Sequence, residues 1–181
     1  VDKNGDEILV GRAKAGSESA FAELVRNYRE KAVHIAWGIT GDEQVAEDIS
    51  QESFIKIYRS LKNFREESKF STWFYRIVVN LAVDYQRRKK LRSYIPLMKI
   101  REPVEPRNPA LELKAGEFNR VVQNVLERLS AKQRAVFELK NFQGMALDEI
   151  ARIMKCRTGT VKSHLFRAVE KMRKELQDRE T

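Results

Sequence analysis

The residues best placed to do chemistry in this chain are bases, amides and rings, not nucleophiles. Trp73, Arg76, Asn80, Asp84 and Arg87 recur at helical spacing, and the run QRRKKLR that follows supplies Arg87, Arg88, Lys89, Lys90 and Arg92. Separated nucleic-acid strands expose flat base faces that stack on aromatic rings and edges that amides bond, while guanidinium and ammonium groups neutralise phosphates. Just upstream, KNFREESKFS places Phe64 and Phe70 in a polar loop, a candidate pocket for an extruded base. The plainer alternative puts Trp73 and Phe70 in a core. Asp84 would repel phosphate, so it is expected to orient Arg87 or Arg88.

A second basic surface lies in LDEIARIMKCRTGTVKSHLFRAVEKM, residues 147–172. Ile150, Ala151 and Met154 form one apolar stripe, and Val161, Leu165, Ala168 and Met172 form another, with KCRTG between them. That pattern fits a helix-turn-helix, Val161 filling the angle between the helices. Its second helix turns Arg157, Thr160, Lys162, Ser163, Phe166 and Arg167 outward, as a helix reading a major groove must. A plain helical hairpin is the alternative.

A third surface is acidic. Asp48, Gln51, Glu52 and Ile55 share one side of a helix, opposite Phe54, Ile57 and Leu61, which suits docking against a basic partner helix. An ordinary solvated face is the competing reading.

All of these require helices to position them. Phe21, Leu24, Val25, Tyr28, Ala32, Ile35 and Ala36 follow helical periodicity behind a cap at Ser17 or Ser19. Phe54, Ile57, Tyr58 and Leu61 do so on a helix starting near Asp42. Phe74, Ile77, Val78, Leu81 and Tyr85 do so on a third, capped by Ser71 or Thr72. Further helices are expected near 112–129, 131–142, 146–154 and 159–177. Strand-like alternation is absent, so the predicted fold class is all-α. The four prolines, Pro96, Pro103, Pro106 and Pro109, crowd one stretch and forbid regular helix there. We therefore expect two small helical domains, residues 1–92 and 113–181, joined by a proline-rich linker at 93–112.

The 181 residues carry a net charge of +9, pointing to a polyanionic partner. Residues 113–181 hold 15 Lys and Arg against 9 Asp and Glu, so the C-terminal third is the more basic part. One cysteine, Cys156, forms no internal disulfide, and two histidines are too few for an evident metal cluster. With no secretory signal pattern and no apolar run of membrane-spanning length, a cytoplasmic location is expected. Cys156 is expected to be a small buried hydrophobe. No nucleophile–base pair, phosphate-cradling glycine loop or metal spacing stands out, so neither a catalytic residue nor a cofactor nor a small-molecule substrate is expected.

The three segments also resemble a known family. DISQESF (48–54) resembles region 2.2 of sigma factors. FSTWFYRIVVNLAVDYQRRKK (70–90) resembles regions 2.3 and 2.4 of the extracytoplasmic-function type, and ALDEIARIMKCRTGTVKSHLFRAVEKMRKEL (146–176) resembles their region 4.2. The resemblance implies a sigma-70-family subunit that directs RNA polymerase to promoters, in a stress response. It implies that Asp48, Gln51, Glu52 and Ile55 dock on the β′ clamp of core polymerase, and that the helices before the reading helix rest on the β-flap. Phe64, Phe70, Trp73, Arg76 and Asn80 would open and read the minus-ten promoter element, with Arg87, Arg88 and Lys89 on phosphates. Arg157, Thr160, Lys162, Ser163, Phe166 and Arg167 would serve the minus-thirty-five element, and an anti-sigma factor would hold the protein inactive. Two positions depart from the pattern: His164 stands where arginine is frequent, and Arg157 where proline is. The rival readings are a conventional helix-turn-helix regulator acting without polymerase and a protein-binding helical adaptor.

Overall fold

The computed structural model describes residues 3–65, 67–94, 126 and 128–177, and all regular structure among them is helical. The expected linker from residue 95 onward, and the helix expected near 112–129 apart from its last turn, lie outside the described residues.

The first half holds four helices: α1 (Lys3–Lys14), α2 (Glu18–Thr40), α3 (Glu43–Ser60) and α4 (Phe70–Tyr94). Local chemistry sets most of their ends. The Ser17 Oγ accepts the Ala20 N–H, and the Asp42 carboxylate accepts the Val45 N–H, so both satisfy donors that a helix start leaves unpaired. Gly41 closes α2 at φ 71°, a left-handed conformation that glycine adopts without a Cβ penalty. Helix α3 tightens into a single 3-10 turn, Leu61–Asn63. Helix α4 starts earlier than expected. Phe70 is its first residue, so Ser71 and Thr72 lie inside the first turn and do not cap it. It also continues past residue 92, into the start of the expected linker.

The second half holds α5 (Ala131–Phe137), a π turn (Glu138–Phe142), α6 (Leu147–Met154) and α7 (Thr158–Gln177). Helix α5 opens with a reciprocal capping box between Ser130 and Gln133. Lys155 ends α6 in the left-handed region at φ 49°, and the Cys156 N–H bonds back to the Ala151 carbonyl at 3.0 Å. This is the turn of the helix-turn-helix. Across it the Thr158 hydroxyl donates to the Asp148 carboxylate at 2.8 Å, tying the start of α7 to the start of α6. Val161 is fully buried in the angle, as expected, and Ile153 joins Ile150 in the core of the motif.

Tyr28 lies at the centre of the first half with no exposed surface, ringed by Phe70, Phe74 and Tyr75 at centroid distances of 5.3, 4.9 and 5.9 Å. Its hydroxyl donates to the Asp6 carboxylate on α1, which ties that helix to the core. Burial, reinforced by that carboxylate, pushes the Tyr28 hydroxyl well above its ordinary pKa.

The two halves share one apolar cluster. Leu24, Ile35, Phe74, Val78 and Val79 of the first half are continuous with Ala135, Val136, Leu139, Ile150, Ile153 and Val161 of the second. Helix α4 makes this possible by being apolar on two sides. Besides the expected stripe, Thr72, Arg76, Val79 and Val83 form a second line at helical spacing, and Val79 and Val83 are buried.

Candidate polymerase and nucleic-acid interfaces

Helix α3 exposes Asp48, Gln51, Glu52 and Ile55 together, while Ile49, Ser53, Phe54 and Ile57 are buried on its other side. Ile55 is 51% exposed within this acidic patch. Glu52 pairs with Lys56 at 3.1 Å, an i,i+4 contact on the surface that contributes little to stability. Tyr58 corrects the expectation that placed it in the core: it is 59% exposed, touching Phe21 edge-on at 5.0 Å. Standing one turn beyond Ile55, it adds an aromatic ring to the same surface.

On α4 the expected face divides. Asn80, Asp84, Arg87, Arg88 and Lys89 are exposed. Asp84 does hold arginines: its carboxylate lies 3.7 Å from Arg87, and its carbonyl accepts the Arg88 Nε at 3.3 Å. Trp73 is half-buried and stacked on Phe64, with centroids 4.7 Å apart and planes at 17°. Phe70 is 5% exposed and packs on Tyr28 and Phe74, so most of its ring belongs to the core, and with Phe64 and the 67–71 loop it also lines a cavity. The aromatic loop surface therefore consists of Phe64 and Trp73. Arg76 is half-buried and donates to the Arg152 carbonyl of α6 at 3.0 Å, so the second half engages it.

The outer side of α7 matches the sequence reading. Arg157 at the turn and Thr160, Lys162, Ser163, Phe166 and Arg167 are all exposed, and Phe166 is 67% exposed. His164 turns partly inward, and its Nδ1 is buried without a partner. Burial, with Lys132 and Arg167 nearby, depresses its pKa and favours the neutral ring. Cys156 is half-buried in the turn. Among the described residues, no group of three or more His, Cys, Asp or Glu side chains could hold a metal ion, and no helix is long and apolar enough to cross a membrane.

Comparison with known proteins assigns the chain to a family. Residues 24–92 match the model of sigma-70 region 2, and residues 119–172 match that of sigma-70 region 4. The ECF RNA polymerase sigma factor SigW of Bacillus subtilis is 33% identical over 181 residues, covering 93% of this chain and 95% of that protein. The chain is an extracytoplasmic-function sigma factor. The RNA polymerase sigma-H factor of Pseudomonas aeruginosa is also 33% identical, over 183 residues, covering 95% of this sigma factor and 94% of the relative. Its fold resembles that of CnrH, solved in complex with the cytosolic domain of CnrY, at a TM-score of 0.71 with 24% identity, over 96% of this chain and 98% of the other.

The first half is thus region 2 and the second region 4. Sequence reasoning missed Arg134 and Glu138, which join the two regions at Gly38 of α2, and Gln86, which ties α4 to the Ile39 and Thr40 carbonyls at the end of α2. The amphipathic pattern gave no sign of them, because what Gln86 and Arg134 bond to, and what Glu138 packs on, is backbone of α2 far away in the sequence.

Proposed function

We propose that this sigma factor docks on core RNA polymerase through Asp48, Gln51, Glu52, Ile55 and Tyr58 and then reads two promoter elements. In this reading the β′ clamp receives the acidic face of α3, and the β-flap receives the region 4 helices that precede α7. Phe64, Trp73, Asn80 and Arg76 act at the minus-ten element, with Arg87, Arg88 and Lys89 on phosphates. Arg157, Thr160, Lys162, Ser163, Phe166 and Arg167 act at the minus-thirty-five element. The protein works in the cytoplasm as a non-enzymatic subunit. Binding free energy opens the promoter while polymerase supplies the chemistry, and an anti-sigma factor holds the protein back until a stress signal releases it.

The observation that supports this best is the simultaneous exposure of one acidic and two basic surfaces in family order along one chain. A conventional regulator needs only the helix-turn-helix and leaves the α3 and α4 surfaces without a role. The deciding experiment adds the protein to core polymerase and a library of promoter fragments. Start-site-specific transcription that depends on both partners is expected. Tight binding of the free chain to a palindrome, with no polymerase dependence, would identify a conventional regulator instead.

A further inference from the structure

Helix α1 precedes the residues that match sigma-70 region 2, which begin at residue 24, yet it is fixed to that region along its whole length. Near its start, Asp6 is 9% exposed and accepts the Tyr28 hydroxyl. In its middle, Leu9 and Val10 are buried in the apolar cluster. At its end, the half-buried Lys14 ammonium donates to the Phe64 carbonyl at 2.9 Å, 50 residues away in sequence. A lysine in the last turn of a helix is served well enough by the helix dipole and water. Holding its long side chain in one place costs rotamer freedom, which a specific acceptor must offset.

That acceptor belongs to the segment between α3 and α4. Leu61 and Phe70, 3% and 5% exposed, anchor the segment at its two ends. Between them the main chain is held at few points. The Phe64 N–H bonds back to the Leu61 carbonyl at 3.1 Å. Among the described residues, the next main-chain bond runs from the Trp73 N–H to the Lys69 carbonyl at 3.2 Å. Arg65 and Glu67 are exposed and lie 3.9 Å apart, a surface pair that contributes little. Lys14 therefore grips the loop where its own backbone stops holding it. The ring of the same residue, Phe64, lies flat on Trp73 and edge-on to Phe70, so a shift of this carbonyl also shifts the stack.

We propose that Lys14 is a positioning residue for the minus-ten surface, with α1 acting as a strut that fixes the loop at Phe64 and presets the Phe64–Trp73 stack. The inference rests on the promoter-reading function proposed above. Strand separation exposes bases to whatever surface is ready for them, and a ring pair already in place avoids the ordering cost of a mobile one. A charged donor suits the task, because its hydrogen bond to a carbonyl is stronger than that of a neutral group. Lys14 itself touches no DNA in this scheme.

The test compares the full chain with Lys14→Met, which keeps the aliphatic stem and donates nothing, and with Lys14→Arg, which restores a cationic donor. All three carry Trp37→Phe, so that Trp73 is the one remaining indole. Acrylamide quenching of Trp73 fluorescence in the free proteins should about double in Lys14→Met, since a segment with few main-chain bonds opens readily. It should return to the parent value in Lys14→Arg. With core polymerase, Lys14→Met should slow opening of duplex promoters several-fold, and a premelted template should rescue part of the loss. The salt dependence of promoter binding should stay unchanged, because no phosphate contact is removed. A shallower salt slope would make Lys14 a phosphate contact and overturn the strut. Unchanged quenching in Lys14→Met overturns it as well, as does loss of helical circular dichroism, since the residue would then hold the fold and not the loop. The quenching arm involves neither polymerase nor DNA. A loosened stack with unimpaired opening would count against the minus-ten role of Trp73 and leave the strut standing.

Discussion

Trp73 lies almost flat on Phe64, 4.7 Å between ring centroids and 17° between planes. The indole is thus stacked already, on a ring one element upstream, and engaging a DNA base must either displace Phe64 or use the free part of the ring. Trp73→Ala should therefore have two effects. It should lower stability by about 1–3 kcal/mol, as for loss of a partly buried aromatic contact. It should also impair promoter opening more than initial binding, because base stacking of about 1–3 kcal/mol is available only after strand separation. A premelted template should rescue part of the transcription defect at a temperature where the variant stays folded. Equal losses on duplex and premelted templates would return Trp73 to a purely structural role.

Charge reversal at Asp48 and Glu52 separates docking from folding. Both side chains are exposed on α3, away from Phe54 and Ile57. Stability should change by no more than about 0.5 kcal/mol. Competition with the wild-type protein for core polymerase should nevertheless fall at least tenfold. An unchanged competition curve would remove this face from the polymerase interface.

His164 offers a test of the reading helix. Its depressed pKa keeps the ring neutral at physiological pH, so it adds no charge beside Arg167. His164→Arg should strengthen binding of the polymerase complex to every upstream sequence alike. It should also steepen the dependence of log affinity on log salt by about 0.9, the effect of one added phosphate contact. Changes at Lys162, Ser163 or Arg167 should instead relax preference at individual upstream bases, each at a cost of about 1–3 kcal/mol if an edge contact is lost. Base-by-base promoter variants transcribed at two salt concentrations distinguish these outcomes. If neither preference nor salt dependence moves, α7 is not the reader.

The buried Glu138 makes stability depend on pH. Desolvation raises its pKa above the ordinary 4.5, although the Gln143 amide, Arg134 and His34 pull the other way. A carboxyl whose folded pKa exceeds its unfolded one favours the folded form fully below the unfolded value. That contribution fades as pH rises through the folded pKa. At neutral pH the charged form is therefore a liability, and Glu138→Gln, which keeps an oxygen for the Gln143 amide, should melt a few degrees higher. The advantage should vanish as pH falls toward 4.5, in melting curves recorded on both proteins across that range. A constant difference at all pH values would show that the carboxyl's ionisation is not what matters.

What the sequence revealed was whatever a helix writes locally. The stripes on α2 and α7, the helix start near Asp42, the turn at KCRTG and the exposed faces of α3 and α7 all depend on residues within a few turns of one another. Helix α1 escaped because Gly5 and Gly11 interrupt a short stripe, of which only Leu9 and Val10 are deeply buried. Tyr58 was misplaced because it has the right spacing and the right chemistry for a core, yet it stands at the edge of the α2–α3 contact, where only Phe21 covers it and most of the ring stays exposed. The second stripe of α4 was hidden by Arg76 in its middle. Charged residues usually mark a solvated face, and only the Arg152 carbonyl, 76 residues away, gives this one a reason to be half-buried. Phe70 differed for a related cause: α4 begins one residue before the expected caps, and its first side chain falls against Tyr28.

The Gly38–Glu138 fit also bears on how freely such proteins can be rebuilt from parts. A region 4 transplanted from a relative would bring its own outer face of α7 intact. It would also bring its own residues to positions 134 and 138, against a dent in α2 shaped for this pair. Chimeras that exchange only α7 keep the residues at positions 134 and 138, whereas those joined between the two regions inherit two unmatched halves. The natural unit of exchange in this chain is therefore smaller than the domain.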